Sequence, residues 1–469
     1  MRAVLLSCSL LMSGCSTVSS LWGGGDKVAE GKPGFVSGFL GAVATDEPRA
    51  TLVAREMLAS GGNAADAAAA AIATLWQTLP SRAGIGGGGA CLVHRGDAKA
   101  RGVPEAVLFL SPAPGSAAGA DRPAAAPMMA RGLFLLNARF GKVRFETILS
   151  AAEQMAREGT PASRALVRDL AVVAGPLAAD PGARGVFFPG GKIVGEGDLL
   201  VQPELAALLA QLRRAGVGDL YAGALAGQFA AAATQAGGGI SPADLRAALP
   251  KVVPALMVDG PDESTVSFLP TPADGGLAAA AAYRVLASDL GATEAAKARA
   301  IAAAAEFRRT GAAGETILGG NPPAASMPTL PASTSIAVID REGNAVSCAL
   351  TMGNLFGTGR TAPGTGVLLA ASPATQPPPL LAAGMVTYRR NSALRAVAGG
   401  SGQDGAPVAV AQALATALAD RGKAAKLNPA GVPEPGRANV IACNGSVSSP
   451  ETCAWSTDPR GFGLATGSN

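Results

Sequence analysis

Histidine is nearly absent: the 469-residue chain has one, His94. A Ser-His-Asp triad would rest on that single side chain, and a histidine-built metal site is excluded. His94 falls in a strand pattern, where a strand-end surface or core position is the ordinary reading and a catalytic one the exception. Aromatic residues are also scarce, at 4%. Arginine pairs are scattered at 213–214, 308–309 and 389–390, and the formal net charge is only +4. Without an aromatic-interleaved basic run, nucleic-acid binding is not expected. No segment beyond the N-terminus has the roughly 20 apolar residues needed to span a bilayer. A phosphate loop is disfavoured too, because the four glycines Gly86 to Gly89 precede a strand and no Gly-Lys-Ser/Thr follows them. Neither a metal nor an organic cofactor is expected.

What the chain has is alanine, glycine and proline. It is 48% hydrophobic, with 62 Gly and 34 Pro. That is a globular α/β composition with long loops, large enough for one big domain or two intimately packed ones. The N-terminus is more specific. Arg2 precedes an apolar run from Ala3 to Met12, followed by Ser13-Gly14-Cys15-Ser16. A charged start, a short apolar core and small residues before a cysteine describe a signal peptide. The small residues directly before Cys15 resemble the bacterial lipobox, in which that cysteine becomes the lipidated first residue. A plain signal peptide or a buried strand is the alternative. The Gly/Ser-rich stretch after it reads as a tether. The expected organisation is a leader over 1–14, a tether over 15–35, and a globular part held at a membrane surface outside the cytoplasm. Ser16 after the cysteine favours the bacterial outer membrane, facing the periplasm.

The six cysteines suit such a compartment. Cys8 lies in the leader and Cys15 would carry lipid. Cys443 and Cys453 flank a polar loop, and either a bridge or two free thiols is compatible with that spacing. A bridge closing about ten residues would contribute roughly 2–3 kcal/mol in the chain-entropy model. Cys91 and Cys348 sit in apolar strand patterns and read as buried core thiols.

Along the chain, Arg49 to Ser60 is helical and ends at Gly61-Gly62. Asn63, with Asp66 three residues on, caps an Ala-rich helix from Ala64 to Trp76. The glycine run at 86–89 leads into a strand, Ala90 to His94. Either tight backbone packing or ligand approach accounts for four glycines. Helical patterns continue over 145–157, 203–214, 242–248, 275–289 and 292–309, with strands at Ala106–Leu110 and Ser264–Phe268. Pro-rich breaks fall at 112–127, 321–331, 373–379 and 428–435.

The break at 321–331 delivers the chain to the most informative segment, which begins at Ser333. Ile336, Val338 and Asp340 alternate with Ala337 and Ile339. Val346, Cys348 and Leu350 alternate with Ser347, Ala349 and Thr351. This period of two predicts two strands, joined at Arg341-Glu342-Gly343-Asn344, where Gly and Asn tolerate positive φ. A turn centred on Glu342-Gly343 brings Ser333 near Thr351. A hydroxyl nucleophile would then have a hydroxyl neighbour to orient it.

Several collinear segments resemble the gamma-glutamyltransferase family, over most of the chain after the leader. They are Gly41-Ala-Val-Ala-Thr-Asp-Glu-Pro-Arg49, Gly61-Gly-Asn-Ala-Ala-Asp-Ala-Ala68, Gly84-Ile-Gly-Gly-Gly-Gly89, Phe188-Pro-Gly-Gly191, Gly197-Asp-Leu-Leu-Val-Gln-Pro203, Gly238-Gly-Gly-Ile-Ser-Pro-Ala-Asp-Leu245, Gly275-Gly276 and Asp458-Pro-Arg460. The resemblance implies a four-layer αββα sandwich, the N-terminal-nucleophile hydrolase fold. It also implies self-cleavage that frees a threonine whose own α-amine acts as base. That chemistry suits a chain almost without histidine, because an amine with a pKa of about 8 can take a hydroxyl proton near neutral pH. The family's threonine falls on Ser333, so the cut would lie between Ala332 and Ser333. A large-subunit-like region would cover 36–332 and a small-subunit-like one 333–469. Thr351 matches the family's second, orienting threonine. The oxyanion glycine pair falls within Gly399-Gly400-Ser401-Gly402.

The substrate side departs from the family. Leu110 stands where the family has the arginine that binds the glutamyl carboxylate. Ala370 to Thr375 replaces the acidic segment that holds the substrate amine. Gly353 stands at the position of an asparagine, and Ala382-Ala383-Gly384 replaces Ser-Ser-Met. An amino-acid zwitterion needs paired charges in a desolvated site, and losing such contacts costs on the order of 2–5 kcal/mol each. The first expectation is therefore a lipid-anchored pseudoenzyme, binding or scaffolding a protein partner in the cell envelope. The alternative is an active N-terminal-serine amide hydrolase or gamma-glutamyltransferase.

Overall fold

The computed structural model describes residues 39–467, except 97–102, 116, 118, 328–331, 420–431 and 445–451. The expected leader, Cys15 and the whole of the tether lie outside the described residues.

The Ser333 hairpin forms as its periodicity predicts. Ser333–Asp340 pairs antiparallel with Ala345–Thr351, and Thr351 lies directly opposite Ser333. The turn is closed by its own side chains. Asp340 Oδ1 accepts from the Glu342 and Asn344 amides at 2.9 and 3.0 Å, and Asn344 donates to Oδ2 at 2.8 Å. The same Oδ2 accepts the Ala64 amide at 2.9 Å, so the turn is tied to the start of the Ala64–Thr78 helix. Burial raises the Asp340 pKa, and the bonds from Asn344 and the backbone amides oppose the rise.

The hairpin lies in the middle of a seven-stranded antiparallel sheet. Its spatial order is Leu464–Gly467, Gly41–Thr45, Ser333–Asp340, Ala345–Thr351, Gly88–His94, Glu105–Phe109 and Lys251–Pro254. A second sheet has six antiparallel strands: Cys453–Thr457, Arg437–Cys443, Leu394–Ser401, Ala382–Tyr388, Ser264–Phe268 and Leu256–Asp259. The two sheets pack face to face, with Ser333–Asp340 against Leu394–Ser401 and Arg437–Cys443. Strands from both sides of residue 332 enter both sheets, so a cut there would fall inside one folded body.

Helices cover the outer faces. The Ala64–Thr78 helix lies on the hairpin strands, and Met129–Phe140 lies on Gly88–His94 and Glu105–Phe109. Asp274–Leu286 and Ala406–Ala419 cover the second sheet. All residues of Ala64–Thr78 are buried. Small alanine side chains let the helix lie close to the sheet, and its buried N-terminus is satisfied by the capping box that the sequence predicts. The Asn63 side chain accepts the Asp66 amide, and Asp66 accepts the Asn63 amide. Asp66 also accepts both the Asn137 amide group and the Lys142 backbone N–H, which joins the helix to its neighbour. The result is four layers, helix–sheet–sheet–helix.

The sulfurs require one correction. Cys91 and Cys348 are buried as expected, but they are not free thiols: adjacent strands set them directly opposite one another, and they are bonded. The alternating pattern gave their face, and only the strand order gives their partnership. Cys443 and Cys453 are also bonded. Among the described residues, no helix is long and apolar enough to cross a membrane.

His94 is 1% exposed, and burial pushes its imidazole down to about 4, partly offset by the Ser392 backbone. The unfolded chain therefore binds a proton that the folded one refuses, and stability falls as pH drops from about 6.5 to 4. A His94→Leu protein lacks this loss, while the buried carboxylates are common to both. In denaturant titrations, the stability difference between the two proteins should shift by about 3 kcal/mol between pH 7 and pH 4, in favour of the variant.

Candidate active site

Ser333 stands at the first position of an inner strand and is 2% exposed. Thr351 faces it across the hairpin and donates its hydroxyl to the Ala332 carbonyl at 2.5 Å. The same oxygen accepts the Gly353 amide at 2.9 Å. Thr351 is thus aimed by a backbone donor and itself aimed at the carbonyl just before Ser333. A third group arrives from the second sheet, where the Gly402 amide donates to Ser333 Oγ at 3.3 Å.

Of the glycines read as oxyanion candidates, only Gly402 reaches Ser333. Gly399 and Gly400 lie inside the Leu394–Ser401 strand, with neighbours on both sides: Ala383 and Ala382 on one, Asn439 and Ala438 on the other. Gly402 follows the strand end at φ +95°, and a Cβ there would lie 2.0 Å from the Pro435 carbonyl oxygen. That left-handed turn frees its amide from the ladder.

A partly buried polar network fixes the start of the Ser333 strand. Asp46 Oδ2 accepts the Thr334 hydroxyl at 3.0 Å and the Ser335 amide at 3.1 Å. Asp46 Oδ1 accepts the Asn439 side-chain amide at 2.9 Å, and that amide also reaches Ser335 Oγ at 2.8 Å. The sequence assigned no role to either residue. Asp46 lies within a family-like segment, which is the one signal available for it. Asn439 had no local signal, because its role depends on two sheets meeting.

Beside Thr351 is a cavity of about 230 Å³. Leu110 and Gly353 line it, as do Ala370 and Ala371 from the replaced acidic segment. Ala382 and Ala383 do not; they are fully buried at the start of their strand. The remaining wall includes four prolines and Leu381, with Ser111, Gln376 and Asp274 as its polar side chains. Arg308 holds Asp274 through Nε at 2.5 Å and also donates to the Pro378 carbonyl at 2.8 Å. Burial raises the Asp274 pKa, and Arg308 opposes the rise.

His94 takes no part. It pairs with Ala345, six residues from Thr351 along the same strand, which places it roughly 20 Å from Ser333. Among the described residues, no group of three or more His, Cys, Asp or Glu is placed to hold a metal ion. The arrangement can therefore offer a hydroxyl nucleophile, a hydroxyl donor on a carbonyl, a backbone N–H on the nucleophile's oxygen, and a largely apolar adjoining cavity whose one carboxylate is paired with Arg308.

The gamma-glutamyltranspeptidase family model matches residues 50–331, a span that stops before Ser333. Glutathione hydrolase 3 of Arabidopsis thaliana is 29% identical over 245 residues, covering 50% of this chain and 38% of that protein. The glutathione hydrolase proenzyme of Escherichia coli is 26% identical over 385 residues, covering 70% of this chain and 65% of that protein. The chain thus spans less than two thirds of the length of these relatives. Among solved structures, a cephalosporin acylase from Bacillus halodurans superposes with a TM-score of 0.74 over 91% of this chain and 95% of that one, at 20% identity. That likeness concerns the fold, which is the αββα sandwich of the N-terminal-nucleophile hydrolases.

The Asp46 network yields a measurable expectation. Asp46→Ala strips partners from the Ser335 amide, the Thr334 hydroxyl and the Asn439 amide, and should destabilise the protein by about 1–3 kcal/mol in urea unfolding. Asp46→Asn should lose less, because it keeps an acceptor.

Proposed function

Because the chain belongs to the gamma-glutamyltranspeptidase family, we propose that it is an amide-hydrolase proenzyme that cuts itself between Ala332 and Ser333. The observation that carries this reading is the Thr351 hydroxyl on the Ala332 carbonyl, with the Gly402 amide on Ser333 Oγ. The Ser333 hydroxyl adds to the Ala332 carbonyl carbon. Thr351 donates to the carbonyl oxygen as it gains negative charge. The peptide C–N bond then breaks, and the Ser333 nitrogen takes the hydroxyl's proton, leaving an ester. Water hydrolyses the ester to an Ala332 carboxylate and a Ser333 with a free α-amine. That amine, with an ordinary pKa near 8, then serves Ser333 as base toward an external amide.

A second reading is favoured by the substrate side. Leu110 at the arginine position, Gly353 at the asparagine position and the uncharged Ala370–Ala371 wall leave a glutamyl zwitterion without partners. In that reading the protein is a pseudoenzyme that retains the fold to bind or scaffold an envelope partner.

Intact mass and a reducing denaturing gel separate the two. The hydrolase reading expects two fragments, the smaller beginning at Ser333, and an uncut chain for Ser333→Ala. Thr351→Val should slow the cut by roughly 10²-fold or more. A wild-type chain that stays whole overturns the hydrolase reading and leaves the pseudoenzyme.

We also propose that lipid on Cys15 anchors the protein at the bacterial outer membrane, facing the periplasm. Supporting this are the charged and apolar start, Ser13-Gly14 before Cys15, and two disulfides of the kind that persist in oxidising compartments. Fractionation checks it: the wild type should sediment with outer membrane, and Cys15→Ser should not. Equal distribution of the two proteins would count against the anchor.

A further inference from the structure

We propose that the cavity beside Thr351 selects a short, uncharged aliphatic acyl group, which makes neutral acyl amides the substrate class of this site. The inference rests on the hydrolase reading and deepens it. Thr351, which lies directly opposite Ser333, and Gly353, two residues on, form one wall, so the cavity adjoins the end of the hairpin that carries Ser333.

The lining argues against charge. Leu110, Leu381, Pro272, Pro379 and Ala371 form apolar walls. Asp274 is the one ionisable residue among the lining residues, and Arg308 already occupies it. Both its oxygens accept from the Arg308 guanidinium, so no free carboxylate is on offer to a substrate amine. A substrate carboxylate would meet no cation on these walls, and leaving it there unpaired is prohibitive. The neutral polar groups are Ser111 and Gln376. Ser111 Oγ is buried and has no hydrogen-bond partner, so one uncharged polar atom on the acyl chain can be satisfied there. The volume of about 230 Å³ lies just under the ~300–1,000 Å³ of ordinary small-molecule sites, which limits the group to a short chain.

The reaction balances without a cofactor. Ser333 oxygen bonds to the acyl carbon, the α-amine takes the hydroxyl proton, and the amide C–N bond breaks as the leaving amine receives that proton. Water then splits the acyl-serine to a carboxylic acid, restoring the hydroxyl.

The test uses p-nitroanilides of acetyl, butanoyl, hexanoyl and gamma-glutamyl groups with the self-cut protein. The expected result is kcat/KM rising roughly fourfold per added methylene, with no turnover of the gamma-glutamyl anilide. Ala371→Leu, its fold checked by circular dichroism, should flatten this rise, lowering the hexanoyl-to-acetyl ratio of kcat/KM at least tenfold. A cut protein that ignores chain length, turns over none of the acyl anilides, or prefers the gamma-glutamyl anilide overturns the inference while self-cleavage stands. A chain that stays uncut defeats the hydrolase reading instead. Hexanamide binding, followed by saturation-transfer NMR on Ser333→Ala protein, then decides the cavity. Binding abolished by Leu110→Trp upholds an acyl-selective pocket, and absence of binding overturns it.

Discussion

The two sheets meet so closely beneath the Ser333 strand that a single added carbon at residue 399 would lie 2.9 Å from the Ile336 carbonyl oxygen. That contact sets the spacing on which the site depends. The Ser347 hydroxyl spans the gap, within 3.1 Å of the Ile336 carbonyl and 2.9 Å of the Ala398 carbonyl. Asn439 crosses it as well, to Ser335 and Asp46. Only because the sheets are held this near does the Gly402 amide, on one sheet, reach Ser333, on the other. Larger side chains would force the layers toward the ~10 Å separation usual for stacked sheets and open that hydrogen bond.

What the sequence made legible was local. A period of two along 336–351 and a Gly-Asn turn specify a hairpin that brings Ser333 near Thr351, and the structure fixes the register, with the two directly opposite. Asn63 and Asp66 announced a helix start because a capping box needs only four adjacent residues. The unread features all depend on distant partners. Cys91 and Cys348 are 257 residues apart, and nothing in either strand's alternation shows that they are neighbours. Gly399, Gly400 and Gly402 look equivalent in sequence, and only the end of the strand separates a ladder glycine from a free amide. Asp46 and Asn439 become site residues only when three strands from two sheets converge.

The site divides by the kind of group that builds it. The half around Ser333 uses short hydroxyls and backbone amides on or at the ends of sheet strands, which are fixed wherever the fold is fixed. The recognition half uses residues from separate segments, around 110, 274, 353 and 371. Those positions lie outside the Ser333 hairpin and the Gly402 turn, so the walls can change chemical character separately from the hydroxyl and amide geometry. This explains how reactive geometry and family-unlike walls coexist in one chain. The Asp274–Arg308 pair shows the same tendency, with a potential recognition charge spent on internal structure.

The disulfide between Cys91 and Cys348 has a topological meaning. One sulfur belongs to the stretch before Ala332 and the other to the stretch after Ser333. Scission of the backbone between those residues would turn one polypeptide into two, yet the crosslink, buried between adjacent central strands, would keep them a single covalent molecule. Maturation would then create a new chain end without creating a part that can leave.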